Sequence, residues 1–241
     1  ASPDLTTNDP AKQKDSGGPI TPDNSGAESH CTIVTISEAP AEPGVLWCGT
    51  DDGNLQVSRD NGATWTNVVT RIPGLPPATW CSHVEASRFA KGTAYAAFDG
   101  HRTADYSAYL YKTVDYGRTW TSIKANLPFG WVHVVREDVK NPSLLFAGTE
   151  FGVFGSWDGG RSWLNLKASN LPTVAVCDLL VHPRENDLII GTHGRGVWIL
   201  DDIGFLQDVS DAVLAEPVRV FAPRPAVQWF QGSVRESYSK T

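Results

Sequence analysis

An eight-residue pattern, Ser/Thr-x-Asp-x-Gly-x-x-Trp, occurs three times in this chain of 241 residues, at positions 58–65, 113–120 and 156–163. A pattern that returns at intervals of tens of residues is typical of repeat architectures. Its Asp can accept hydrogen bonds from backbone N–H groups a few residues on, its Gly can adopt positive φ, and its Trp supplies a large apolar plug. The pattern predicts one tight hairpin per repeat, built on Ser58, Asp60, Gly62, Trp65, Thr113, Asp115, Gly117, Trp120, Ser156, Asp158, Gly160 and Trp163.

Short apolar and β-branched segments flank each hairpin. In the first repeat they cover 32–36, 45–50, 55–58 and 65–69, separated by turn residues. The first of them is β-branched throughout, which is typical of a fully buried inner strand. Four short strands in succession make one blade of a β-propeller. The sequence therefore predicts an all-β chain, a propeller segment of about four four-stranded blades, with one short helix near the C-terminus.

The repeats also predict boundaries. Asp4-Leu5 resembles Asn126-Leu127 and Asn170-Leu171, which follow the second and third hairpins, so residues 1–29 are expected to be an arm from a preceding blade. The predicted units are a blade at 30–79, a blade at 80–129 with an inserted loop at 100–108, a blade at 130–173, a last, degenerate blade at 174–222, and an exit toward a following module at 223–241. In the last blade we expect a helix at 203–215, capped by Asp201 or Asp202, and a final strand at 218–221.

Four blades leave two strand edges open, which soluble proteins avoid. The expected partner is therefore the remainder of the propeller, supplied by the same polypeptide, a cleaved fragment or a second copy. The net charge of −7 argues against a nucleic-acid or anionic-membrane surface. No run of about 18 apolar residues is present, so no membrane span is predicted.

The four cysteines, Cys31, Cys48, Cys81 and Cys177, show no metal-binding CxxC spacing and leave the redox compartment undecided. Counted back from similar positions in three repeats, Cys31, Cys81 and Cys177 are predicted to share one place, the start of the innermost strand.

The ligand face of a propeller is built from the loops that enter the first strand and those that join the second strand to the third. Charged, imidazole and aromatic side chains gather in these loops in every repeat, and a face of this kind is the default hypothesis for a binding site. The predicted face contains Asp51, Asp52, Asp99, His101, Arg102, Asp105, Glu150, His193, Arg195, Trp131 and His133.

Several chemistries are open to this face. Glycoside hydrolysis needs two carboxyl groups flanking the sugar bond, and Asp99 and Glu150 are the catalytic candidates. The competing interpretation is that each Asp caps its own turn. A sialidase would need an arginine cluster, and Arg102 and Arg195 are too few to favour one.

No cofactor is predicted. A bound cation is an alternative, because His30, His83, His101, His133 and His193 could converge with carboxylates, although no pair has the spacing of a known metal motif. A binding module is the third interpretation. Trp80 and Trp131 could stack on sugars or anchor a peptide, and the inserted loop with Tyr106 has the length of a functional loop.

The hairpin pattern resembles the Asp-box, or bacterial neuraminidase repeat, of a β-propeller superfamily. Four further strings, at 2–6, 97–102, 147–152 and 191–196, resemble large secreted bacterial sortilin-like or glycosyl-hydrolase-like repeat proteins. The resemblance implies that the boxes lie away from the ligand face and that the protein is secreted or periplasmic. It implies no settled activity. A binding or scaffold module for a polysaccharide or protein partner is therefore expected, with a glycoside hydrolase as the alternative.

Overall fold

A computed structural model describes residues 2–13, 20, 22, 30–167 and 170–225. These residues form four antiparallel sheets that follow one another along the chain. The first sheet contains β1 Ile33–Glu38, β2 Leu46–Thr50, β3 Leu55–Ser58 and β4 Thr66–Asn67. The second contains β5 Trp80–Ala86, β6 Ala94–Asp99, β7 Tyr109–Thr113 and β8 Thr121–Ser122. The third contains β9 Val132–Glu137, β10 Leu145–Thr149, β11 Gly152–Ser156 and β12 Leu164–Asn165, and the fourth β13 Val176–Val181, β14 Leu188–Thr192 and β15 Val197–Leu200.

Strand order within each sheet follows the chain, and the first strands β1, β5, β9 and β13 lie side by side. Three apolar clusters fill the spaces between successive sheets. Trp47 and Phe98 are central to the first, Tyr95 and Leu145 to the second, and Phe146 and Leu179 to the third. Sheets stacked face to face around a shared inner edge are propeller blades. The predicted fold, an all-β propeller segment of about four blades, is confirmed.

We call the hairpins at 58–65, 113–120 and 156–163 the three clasps, and Asp60, Asp115 and Asp158 the clasp aspartates. In each clasp the carboxylate accepts a hydrogen bond from the Ser or Thr two residues earlier and two from the residue four positions later. Partial burial alone would raise the pKa of Asp158, but hydrogen bonds from Ser162, Ser156 and Arg161 lower it to about 2. The pKa values of Asp60 and Asp115 are also lowered.

The glycines of the second and third clasps lie against the preceding blade. A Cβ added to Gly160 would lie 2.8 Å from Ile123 Cβ, and one added to Gly117 would lie 3.0 Å from Val68 Cβ. A Cβ on Gly62 would meet only its own repeat, at 3.6 Å or more. All three residues have positive φ. The Gly of the pattern is thus needed for close packing between blades as well as for its backbone conformation.

The clasp tryptophans also differ from clasp to clasp: the third is the most buried and the first the least. Trp163 is 2% exposed, and its Nε1 donates to the carbonyl oxygen of Ile123 in the preceding blade at 2.8 Å. Trp120 packs edge-on against Trp47 of the first blade, with ring centroids 6.0 Å apart. Trp65, which has no preceding blade among the described residues, is only half-buried and bonds to its own clasp at Gly62.

The prediction that 32–36 is a fully buried strand is wrong. In β1, Ile33 is 46% exposed and Ile36 66% exposed. At the other end of the arc, Val197 and Ile199 of β15 are exposed as well. Within the described part of the chain no sheet covers these outer surfaces, so side chains with a core-like pattern face solvent.

The C-terminal part departs from prediction. The expected helix at 203–215 is two short helices, α1 Gly204–Gln207 and α2 Asp211–Leu214. Ile203 occupies the position before α1, and Asp202 instead accepts a hydrogen bond from Gly204 N at 3.2 Å. Residues 218–221 form no strand, so the fourth sheet as described has three strands. Most of the predicted exit segment, 226–241, lies outside the described residues.

The described start of the chain packs against the first blade. Leu5 is buried, and its carbonyl oxygen accepts hydrogen bonds from Asn54 and Gln56 of the first blade. Leu127 and Leu171 pack into the second and third apolar clusters. Of the predicted arm, residues 1, 14–19, 21 and 23–29 lie outside the described residues.

The predicted equivalence of three cysteines is wrong. Cys81 lies in β5, where it pairs with Phe98 of β6. Cys177 is the extra residue of the β-bulge in β13, and Cys31 precedes β1. The bulge lies at the same place in all four first strands, at Val34, Ser82, His133 and Cys177, so it shifts every repeat alike. The error arises because the positions used for counting, Ser37, Ser87 and Pro183, lie three, five and six residues after the bulge. All four thiols are free.

Candidate functional site

The loops of the predicted ligand face lie at one end of the four sheets, opposite the clasps, because alternate hairpins of an antiparallel sheet lie at opposite ends. Two cavities open there. The first, which we call the central cavity, has a volume of about 430 Å³. Its lining consists of Trp80, Ser82, Asp99, His101, Trp131, His133, Glu150, Ala175, Cys177 and His193. The second, which we call the arm-side cavity, measures about 510 Å³ and is lined in part by Lys12, His30, Asp51 and Arg102. Asp99 and Trp80 border both cavities.

Asp99, the last residue of β6, belongs to the wall of the central cavity and is 1% exposed. Its Oδ1 accepts a hydrogen bond from His101 N at 2.8 Å and lies 2.7 Å from His101 Nδ1. Its Oδ2 lies 3.6 Å from His133 Nδ1 and has no hydrogen-bond partner, although it is buried. A buried carboxylate oxygen without a hydrogen-bond partner is energetically costly. The Asp99 side chain has no exposed area, so His101 and His133 shield it from the cavity in this conformation.

His133 connects Asp99 to a second carboxylate. Its Nε2 lies 3.2 Å from Glu150 Oε2, and the Glu150 side chain is about one third exposed. Glu150 belongs to the turn between β10 and β11, but its carboxylate is not tied into that turn by any contact recorded for the described residues. The Asp99–His133–Glu150 series thus places two carboxylates on either side of one imidazole, within a cavity open to solvent.

Asp51 organises the arm-side cavity. Its Oδ1 accepts a hydrogen bond from Thr32 N at 2.7 Å, and its Oδ2 lies 3.3 Å from His30 Nδ1 and 3.4 Å from Arg102. The Arg102 guanidinium also lies 4.5 Å above the Trp80 ring, a cation–π contact. The positive charge of Arg102 is therefore already engaged.

Two other predicted carboxylates serve the fold. Asp52 accepts hydrogen bonds from the Thr50 hydroxyl and from the backbone and hydroxyl of Thr7, so it ties the N-terminal segment to the first blade. Burial alone would raise the pKa of Asp52, but these hydrogen bonds lower it. Asp105 accepts hydrogen bonds from Tyr109 and Ser107 inside the inserted loop, and its pKa is lowered against the effect of burial in the same way.

The aromatic side chains form a cluster around His101. Its ring packs edge-on against Trp80 at 5.6 Å and against Trp131 at 5.2 Å. Tyr106 stacks on Trp131 at 5.2 Å, and Phe129 stacks in turn on Tyr106 at 5.8 Å. The indoles are thus partly covered by other rings. Sequence reasoning did not single out Phe129, and the available signal was its position two residues before Trp131.

The remaining predicted residues lie at the edge of the site or away from it. His193 lines the central cavity, while Arg195 lies on an exposed turn and donates to the neighbouring carbonyl of Gly194. Burial lowers the pKa of His83 to about 3, with a further contribution from the charge of Arg136. Among the described residues, no group of three or more His, Cys, Asp or Glu side chains has a metal-binding arrangement.

Comparison with known proteins locates the fold. No family model matches the chain, and no curated protein matches it. Among solved structures, it is similar to the GH74 xyloglucanase from Xanthomonas campestris, with 20% identity over 83% of this chain and 31% of that chain and a TM-score of 0.61. The extracellular domain of BT4673 from B. thetaiotaomicron matches with 17% identity over 73% of this chain and 21% of that chain and a TM-score of 0.54.

A third similar structure is YCF48 bound to D1 peptide, with 18% identity, 70% of this chain and 50% of that chain covered, and a TM-score of 0.51. The chain thus spans about a third or less of the first two proteins and half of the third. None of the described helices has the length and apolar character that crossing a bilayer would require. At these identities the likeness concerns the fold, and it agrees with the stacked blades described above: the chain is a partial β-propeller.

Proposed function

We propose that this propeller segment is a carbohydrate-binding module that takes a neutral polysaccharide in the central cavity. The observation that carries the proposal is the Glu150 carboxylate, which is about one third exposed at the wall of the open central cavity and lies beside His133 rather than being tied into its own turn. A sugar hydroxyl can donate a hydrogen bond to this carboxylate. His133 adds a further polar group within reach of the same ligand, and the buried Asp99 lies behind it.

The charges of the cavity favour a neutral ligand. Asp99 and Glu150 both line it, whereas no Arg or Lys does so among the described residues. Arg102 borders the other cavity and is engaged with Asp51 and Trp80. An acidic sugar such as a uronate or sialic acid would meet two carboxylates without a compensating cation, which is unfavourable.

The comparisons give further support. One similar structure is a xyloglucanase, and another is an extracellular domain. They support a saccharide ligand and a secreted or periplasmic location for this chain. YCF48, in its complex with D1 peptide, supports the competing idea of a protein ligand. We favour the saccharide because the exposed Glu150 carboxylate in the cavity is suited to hydroxyl donors.

The test is isothermal titration calorimetry with neutral oligosaccharides, including xyloglucan and β-glucan fragments, alongside oligogalacturonate. Glu150→Gln should weaken binding of the neutral ligand about tenfold, the effect of losing one charge-assisted hydrogen bond. Glu216→Gln, an exposed change in the C-terminal segment far from the cavity, is the matched control. Failure of every neutral oligosaccharide to bind, or equal affinities for the two variants, would refute the proposal.

A glycoside hydrolase is the second candidate, favoured by the placement of Asp99 and Glu150 around His133. The two recorded contacts and the width of an imidazole put their carboxylate oxygens at most about 9 Å apart, within the span of about 5–9.5 Å used by glycosidases. Release of reducing ends from a bound oligosaccharide, abolished by both Asp99→Asn and Glu150→Gln, would establish hydrolysis. Binding without any release would leave the module non-catalytic.

A further inference from the structure

We infer that three stacked aromatic rings beside the central cavity, Trp131, Tyr106 and Phe129, form a second subsite that stacks against a sugar unit lying outside the cavity. We call these three rings the aromatic ledge. The inference rests on the proposed function, because the ledge would add contacts to the same polysaccharide chain that binds in the central cavity.

The ledge is continuous from the cavity wall to solvent. Trp131 lines the central cavity, and Tyr106 stacks on it with ring centroids 5.2 Å apart and planes at 29°. Phe129 stacks on Tyr106 at 5.8 Å and 30°. Tyr106 is 43% exposed and Phe129 70% exposed. Tyr106 covers one side of the Phe129 ring. The high exposure of Phe129 therefore means that the other side of its ring is open to solvent.

Backbone contacts hold the ledge in place. Gly130 N donates to the carbonyl oxygen of Tyr106 at 2.8 Å, and Trp131 Nε1 donates to the carbonyl oxygen of Asp105 at 2.8 Å. These two hydrogen bonds join the inserted loop of the second blade to the segment that enters the third. Gly130 has φ +133°, and a Cβ there would lie 2.9 Å from the ring of Phe151, which packs over it. A ledge already ordered in this way loses little conformational entropy when a ligand binds.

The chemistry of the ledge and cavity together fits a sugar chain. Contiguous exposed aromatic rings mark interaction sites. A pyranose ring offers a flat C–H face that can lie on Phe129, and units further along the chain offer hydroxyl groups to the exposed Glu150 carboxylate. A peptide could also contact the rings, but the cavity lining, which contains Asp99 and Glu150 and neither Arg nor Lys among the described residues, favours a row of neutral hydroxyl donors.

The experiment is calorimetric titration of the whole chain with a length series of one neutral β-glucan, from disaccharide to hexasaccharide. For the unmodified protein, affinity should rise with length once the chain reaches the ledge. Phe129→Ala should remove this gain, a loss of about three- to tenfold for the longest ligand, which corresponds to one aromatic contact. Phe129→Tyr keeps a ring and should retain the gain.

Phe89→Ala is the matched control, because Phe89 is also exposed but lies in the turn between β5 and β6, at the opposite end of the second blade. It should leave the whole length series unchanged. Equal affinities of Phe129→Ala and the unmodified protein for the hexasaccharide would overturn the ledge while leaving the cavity intact. No binding at any length would instead overturn the proposed function, and the ledge with it.

Discussion

Alanine substitutions at the glycines of the clasps separate the cost of tight packing between blades from the cost of backbone strain. Gly160, Gly159 and Gly62 all have positive φ, at +93°, +71° and +84°. An added Cβ meets Ile123 Cβ at 2.8 Å at Gly160, finds no atom within 4 Å at Gly159, and finds only ordinary contacts at Gly62. Alanine substitutions at the three positions therefore carry a similar conformational penalty, but only Gly160→Ala forces two blades apart.

The magnitudes follow from these two effects. An L-residue held at positive φ costs about 1–2 kcal/mol, which applies to all three variants. Overpacking in a close-packed contact adds about 1–3 kcal/mol. This addition falls on Gly160→Ala alone, because real Cβ atoms do not approach another Cβ to 2.8 Å and Ile123 is held by the second apolar cluster. We expect Gly160→Ala to be less stable than Gly159→Ala by about 1–3 kcal/mol.

Urea denaturation followed by tryptophan fluorescence gives the free energy of unfolding for each variant. The m-value should stay constant, so that the differences report stability alone. Gly159→Ala and Gly62→Ala should agree within about 0.5 kcal/mol, as independent surface positions do. Equal destabilisation by Gly160→Ala and Gly159→Ala would refute the idea that the clasp glycine sets the spacing between blades.

Three further predictions concern charge and thiols. The clasp aspartates have pKa values below the ordinary 3.8, so their stabilisation is complete above about pH 4 and is lost as the pH falls toward 2; a urea midpoint unchanged between these values would contradict this. Glu137 is buried and accepts hydrogen bonds from three donors of the second blade, so Glu137→Ala should lower the free energy of unfolding by about 2–4 kcal/mol in thermal or urea melts. Burial raises the pKa of Cys48, Cys81 and Cys177, so the contrast between them rests on access: a disulfide reagent should modify the exposed Cys177 in the native protein and reach the buried Cys48 and Cys81 only on unfolding.

The sequence was sufficient for the fold because the repeated pattern acts locally. Asp60, Asp115 and Asp158 fix hairpins through contacts within eight residues, and such contacts can be read from spacing alone. Blade number and strand order follow from those hairpins. The roles of Gly117 and Gly160 could not be read in this way, because the atoms that they approach belong to the preceding repeat.

The candidate site was predicted only as a set of residues on one face. Loop position identified Asp99, His133 and Glu150, but their order around one imidazole depends on distances between two blades. Asp52 and Asp105 occupy equally suggestive positions, and both prove to be structural. Thr7, which is distant in the sequence, donates to Asp52, whereas Ser107 and Tyr109 of the same loop donate to Asp105. Sequence spacing does not reveal the approach of Thr7, and it does not show that the positions from which the cysteines were counted lie at different distances from the β-bulge.

A substitution at Gly62 can also test what covers the exposed outer surface of the first blade. In this chain a Cβ at Gly62 faces no other blade, Trp65 is half-buried, and Ile33 and Ile36 of β1 are exposed. If a further blade covered this surface as the second blade covers the clasp of the third, Gly62→Ala would incur the same overpacking penalty as Gly160→Ala, about 1–3 kcal/mol. Measuring its cost at rising protein concentration separates the sources of that blade. A cost that grows with concentration identifies a second copy as the partner, because association must precede the clash. If Gly62→Ala costs only the backbone penalty at every protein concentration, a second copy does not cover this surface. The remaining candidates are then a covalently attached or a separately supplied part of the propeller.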